Sequence, residues 1–211
     1  MKKKATKPRQ CKILFLETNL DERLSSDRSQ IRLMKELFSH YENAELITKE
    51  IHSKSDLIKF IDFARKDKTV KIIHISSHGN SYKNKCNLTL TNHEKIDLTK
   101  PEIQKIFKGL DDVIIYFSCC HIGKNDNIRK QLLEISKAAA IFAYTNSIED
   151  EQCFIIEPLF YHLLLRTNKR TSLSAIYEKL RFIIDYFQID ESKDPLGCPL
   201  LMAEIKGTGI Y

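Results

Sequence analysis

Val70-Lys71-Ile72-Ile73-His74-Ile75-Ser76-Ser77-His78-Gly79 and Asp112-Val113-Ile114-Ile115-Tyr116-Phe117-Ser118-Cys119-Cys120-His121-Ile122-Gly123 are the two stretches that decide how this chain folds. Each is a short, nearly continuous apolar run rich in β-branched and aromatic residues, the pattern of a strand buried on both faces. Each ends abruptly in small, polar and reactive side chains. In an open parallel sheet such groups collect outside the carboxyl ends of the strands, where loops and helix N-termini converge. Both reactive tips are therefore expected at one edge of one sheet.

The same alternation recurs outward from these strands. Lys12 to Asn19 carries Ile13-Leu14-Phe15-Leu16 as another buried strand. From Asp27 onward Ile31, Leu33, Met34, Leu37 and Phe38 recur at helical spacing, so a helix packs back on it. Ala44 to Ile51 reads as a strand and Ser53 to Arg65 as a helix with Leu57, Ile58, Phe60 and Ile61 inward. After His78-Gly79 a polar loop leads to a small hairpin of Asn87 to Thr91 and Lys95 to Leu98. Pro101 and Gly109 bound a helix over Thr99 to Gly109. A helix over Asp126 to Lys137, a strand over Ala138 to Tyr144 and a helix around Glu157 to Leu165 follow. The last helix, Ser172 to Phe187, carries Ile176, Leu180, Ile183 and Phe187 on one stripe, and Pro199 to Ile205 is an edge-like strand. The predicted class is α/β: a doubly wound sheet of about six mainly parallel strands flanked by helices, with a small β-hairpin after His78-Gly79.

With 211 residues, 42% of them hydrophobic, there is apolar material for one sizeable core, and no repeat or linker divides the chain. A basic flexible tail over residues 1–10 and a single domain over 11–211 are expected. The Met1-Lys2-Lys3-Lys4 start lacks an apolar segment after it, and no stretch approaches the length needed to span a bilayer, so a cytoplasmic location without a membrane span is expected. The net charge of +6 is spread among acids beyond the tail, with no basic stripe interleaved with aromatics, so no nucleic-acid partner is expected. Six cysteines without a secretion signal read as reduced thiols, and none has metal-knuckle spacing. No metal and no cofactor is expected.

The candidate chemistry lies at the two strand tips. A thiol must ionise to attack a carbonyl, and a nearby histidine can take that proton and return it to the leaving amine. His78 and Cys120 fit these roles, 42 positions apart. Gly79 and Gly123 would let the chain turn sharply beside each side chain, so that backbone N–H groups face an oxyanion. Cys119 and Cys120 point to opposite faces of an extended strand, and only one can face the crevice. His74 lies deeper on its strand and is expected to be a hydrogen-bonded core residue. His121 either contacts substrate or is a loop residue. Glu149, Asp150 and Glu151, just after the strand ending at Tyr144, form an acidic cluster that could receive a basic side chain or else is a solvated loop or a helix N-terminus.

These motifs resemble the CHAT branch of the caspase-like cysteine proteases, relatives of caspases, metacaspases and separase. Ile72 to Gly79 is similar to the histidine-glycine motif, and Ile114 to Gly123 to the strand carrying the nucleophile, with Cys120 on the catalytic position. The opening strand Lys12 to Asn19, with Arg23-Leu24 and the helix after it, is similar to the start of stand-alone bacterial members. Cys120-His121-Ile122-Gly123 is nearer to the metacaspase pattern, but Ser118 stands where an acidic residue would bind a basic P1 side chain, so cleavage after Lys or Arg is not implied. The resemblance implies a cysteine endopeptidase acting through a thioester acyl-enzyme on a protein substrate, with a separate activator or sensor protein, in bacterial defence or programmed cell death. A catalytically silent caspase-like interaction module is the alternative. A nucleotide-binding domain is disfavoured because no Gly-rich phosphate loop follows the first strand.

Overall fold

The computed structural model describes residues 11–19, 29–83, 85–166, 171–187, 189 and 199–207; the tail at 1–10, Arg23-Leu24, the expected helix start at Asp27 and Cys198 lie outside them. Strands β1 (Cys11–Glu17), β2 (Ala44–Glu50) and β3 (Val70–Ser76) lead the chain, and β7 (Ile114–Ser118), β8 (Ala140–Tyr144) and β9 (Leu201–Ile205) follow. They form one six-stranded sheet in the order β2-β1-β3-β7-β8-β9. All neighbours are parallel except β9, which runs antiparallel along β8 at the edge.

Side-chain alternation divides the apolar runs between two cores. Leu14, Leu16, Ile73, Ile75, Ile115 and Phe117 face α2 (Lys54–Lys66) and α4 (Asp126–Ser136). Ile13, Phe15, Ile72, Ile114 and Tyr116 face α1 (Gln30–Ser39), α5 (Asp150–Leu165) and α6 (Leu173–Tyr186). Helix starts are fixed by local capping: Ser53 with Asp56 at α2, Asn125 at α4, Ser172 at α6. Helix α1 takes its cap from elsewhere, since Glu17 at the end of β1 accepts from the Gln30 amide at 2.6 Å and from the Ser29 hydroxyl at 2.7 Å.

Four expectations change. The polar segment after β3 is a strand, β4 (His78–Tyr82), which with β5 (Lys85–Thr89) and β6 (Lys95–Asp97) makes a three-stranded antiparallel sheet rather than a two-stranded hairpin. His-Gly-Asn-Ser has little intrinsic strand preference, and pairing with β5 supplies what propensity does not. Thr99 to Gly109 is not one helix: α3 (Pro101–Gln104) tightens into a 3₁₀ turn over Lys105–Phe107 that is capped by extended Lys108, with Gly109 following at φ +79°. Helix α5 begins at Asp150, well before Glu157, because Glu149 and Gln152 form a reciprocal cap. Finally, two stripes rotate. In α2 the buried residues are Leu57, Ile61 and Ala64, leaving Ile58 exposed and Phe60 half-buried. In α6 they are Leu173, Ile176, Leu180 and Ile184, so Phe187 is 67% exposed beside Phe182 and Tyr186. Among the described residues no helix is long and apolar enough to cross a membrane.

Candidate active site

Strands β3 and β7 are adjacent and parallel, with Ser76 opposite Ser118 at their carboxyl ends. Pairing continues one step further, where the Ser77 amide donates to the Ser118 carbonyl at 3.3 Å. The Ser77 hydroxyl then donates to the Thr89 carbonyl of β5 at 2.7 Å, turning the chain out of the large sheet into β4. His78 is the first residue of β4 and is exposed. The histidine and cysteine tips are thus neighbours at one sheet edge.

Gly79 sets how closely they approach. A Cβ there would collide with the Cys120 carbonyl oxygen and lie 2.9 Å from Cys119 Cβ. Its φ is not in the left-handed region, so glycine serves close contact here and not the sharp turn expected from sequence. Gly123 is the same kind of residue: it is buried, and a Cβ would lie 2.5 Å from the Ala143 carbonyl oxygen of β8. The Gly123 carbonyl accepts from the buried Arg129 guanidinium, which also pairs with Asp126. The turn after Cys120 is therefore clamped between β8 and α4.

The two cysteines separate as strand alternation requires. Cys119 is 1% exposed, its Sγ donates to the Ile75 carbonyl at 3.3 Å, and burial pushes its thiol well up. Cys120, just past the strand end, is half-buried, with the Ile148 amide 3.5 Å from its Sγ. Burial also raises Cys11 to about 11 and Cys86 to about 12, and pushes Cys153 up, so these thiols stay protonated at neutral pH.

His121 sits in the left-handed region at φ 62°, its amide donating to the Asn146 carbonyl at 3.1 Å and its Nε2 lying 3.0 Å from Ser147 Oγ. Residues Asn146, Ser147 and Ile148 form the bridge from β8 to α5, so this loop is held against Cys120 and His121. Sequence reading missed that wall, because backbone amides leave no residue-type signal. Glu149 is the α5 N-cap and Asp150 its first residue, both in the role of a helix start. No group of three or more His, Cys, Asp or Glu side chains able to hold a metal occurs among the described residues.

Beneath the tips lies a polar interior that the sequence only partly signals. His74 is fully buried, as expected, stacked between Phe15 and Tyr116 at centroid distances of 4.2 and 4.9 Å, with Nδ1 2.8 Å from Tyr161 Oη. Glu157 on α5 is equally buried, accepting from Tyr144 Oη at 3.4 Å. The available signal is a glutamate on the stripe Cys153, Ile156, Phe160, Tyr161, which shows only when the helix extends back to Asp150 rather than beginning at Glu157.

No family model matches the chain, and no curated protein matches it in sequence. A crystal structure of the Drosophila initiator caspase Dronc matches its fold with a TM-score of 0.56 and 12% identity, over 97% of this chain and 83% of that one. The chain has a caspase-like α/β fold, six mainly parallel strands between helices.

Proposed function

We propose that this chain is a cysteine endopeptidase in which Cys120 is the nucleophile and His78 its proton partner. The observation that carries the reading is the packing of Gly79 directly on the Cys119-Cys120 backbone, which brings the residue next to His78 against the thiol-bearing tip on an adjacent parallel strand. The caspase-like fold supports it. Cys120 is the half-buried thiol at the sheet's carboxyl edge, whereas Cys119 is enclosed and points to the opposite face.

In the proposed reaction, His78 takes the thiol proton and the Cys120 sulfur attacks a peptide carbonyl, developing charge on the oxygen. The tetrahedral adduct collapses to a thioester as His78 returns the proton to the departing amine, and water then hydrolyses the thioester to regenerate the thiol. Backbone N–H groups beside Gly79 are the candidate oxyanion donors. Gly123 contributes instead by letting its turn lie on β8. By analogy of fold, the substrate is a protein and a separate activator or sensor protein controls the enzyme, in bacterial defence or programmed cell death.

The test is proteolysis of a casein or peptide-library substrate by wild type, Cys120→Ala and His78→Ala, with circular dichroism to confirm folding. Both variants are expected to lose cleavage by at least about a thousandfold. Retained cleavage by Cys120→Ala removes the assignment.

A further inference from the structure

Behind the nucleophile-bearing strand, His74 Nε2 and Glu157 Oε2 face each other 3.5 Å apart, both with no exposed side-chain surface and both without a hydrogen-bond partner. Two buried polar atoms left open in apolar surroundings are costly, and the arrangement calls for a proton between them. We infer that Glu157 is a neutral acid that shares its proton with His74, donating from Oε2 to Nε2, and that this closed pair is the positioning element that fixes α5 to β3 and β7 behind Cys120.

The surroundings select the neutral pair over an ion pair. His74 lies flat between the Phe15 and Tyr116 rings, a site with no room to hydrate an imidazolium. The groups facing Glu157 are His74 on β3, Tyr116 and Ser118 on β7, Tyr144 on β8, Glu17 on β1, and Cys153 and Tyr161 on its own helix, and none brings a positive charge. Burial accordingly raises the carboxyl from 4.5 to about 8 and lowers His74 from 6.5 to about 3. With Nε2 accepting, the His74 proton sits on Nδ1 and donates to Tyr161 Oη, 2.8 Å away. On the other carboxyl oxygen, Oε1 accepts from Tyr144, which in turn lies 2.8 Å from Tyr116 Oη. One shared proton thereby completes a chain across three strands and a helix.

The consequence for the site is mechanical. Helix α5 begins two residues after Ile148, whose amide contacts Cys120 Sγ, while Ser118, two residues before Cys120, borders Glu157 from β7. The pair ties both flanks of the nucleophile to a common interior point.

The sign of the linkage follows from the raised acid. Between 4.5 and about 8 the native state holds a proton that the unfolded chain has released, so this contribution is full below 4.5 and gone above about 8. Glu157→Gln keeps an Oε1 acceptor for Tyr144 and supplies an N–H to His74 Nε2, without a titration. The ratio of unfolding constants, wild type to Glu157→Gln, is therefore expected to rise about tenfold per pH unit across that window. Parallel pH profiles for the two proteins, with no such slope, mean that the native pair holds no extra proton and overturn the inference. Independently of any variant, nitrogen-15 NMR of histidine-labelled wild type at about pH 6 should show His74 neutral with Nδ1 protonated, and an imidazolium there overturns it too. For the positioning role, alkylation of Cys120 is compared in variants shown to be folded: Glu157→Gln is expected to match wild type, and Glu157→Ala to differ by at least about tenfold. Equal rates in all three proteins refute positioning.

Discussion

Gly79 carries the closest approach between the two halves of the candidate site, and its substitution is the sharpest test at the scale of one residue. Gly79→Ala places a methyl group into the Cys120 carbonyl and against Cys119 Cβ, backbone and buried side chain that have no room to yield. A loss of about 1–3 kcal/mol in denaturant unfolding is expected, together with slower alkylation of Cys120, as β4 is pushed off the tip of β7. Gly79 shows the limit of residue-by-residue reading. The sequence marks a glycine next to a histidine, and a turn is the ordinary explanation. Close packing against a cysteine 41 positions away is visible only when β3 and β7 are side by side.

At the scale of elements, the turn His121–Lys124 and helix α4 act as one piece through Arg129. Its guanidinium joins the Gly123 carbonyl to Asp126, although the Asp126 carboxylate itself is largely exposed. The hydrogen bond to the buried carbonyl is therefore the larger contribution, and Arg129→Leu is expected to cost about 1.5–3 kcal/mol and to change Cys120 reactivity, while Asp126→Asn changes stability little. Equal losses from the two variants, read by urea unfolding, would argue against this division. Helix α6 offers a second comparison. Ile184→Ala should cost about 2–5 kcal/mol and Phe187→Ser no more than about 0.5, reversing the weight that the Ile183 and Phe187 stripe implies. Helical periodicity shows that a face exists, but a rotation of one position at the end of a helix is set by what the neighbouring elements present.

Across the whole molecule, acid stability is expected to follow His74. Its folded value near 3 lies below the ordinary 6.5, so the stability it contributes is complete above 6.5 and is lost as pH falls through about 3. Between 6.5 and about 4.5 the proton held by Glu157 offsets this, so thermal unfolding should show its acid limb below about 4.5, and His74→Phe, which stacks without titrating, should flatten that limb whatever it does to absolute stability. The residue is legible as an interior histidine from its place in the run Ile72 to Ser77, but its partners Tyr161 and Glu157 are not. Most of the strand and helix order, and the position of His78 and Cys120 just past strand ends, follow from apolar periodicity and chain direction, which are local properties written along the chain, while the motifs at those ends carry the resemblance to caspase-like proteins. The tertiary structure alone decided that β4 is a strand, that Ile148 walls the thiol, that Gly79 and Gly123 are contact residues, and that an acid and a histidine close on each other in the core. Each of those depends on pairing between segments far apart in sequence, where burial and unsatisfied polar groups, not residue type, fix the outcome.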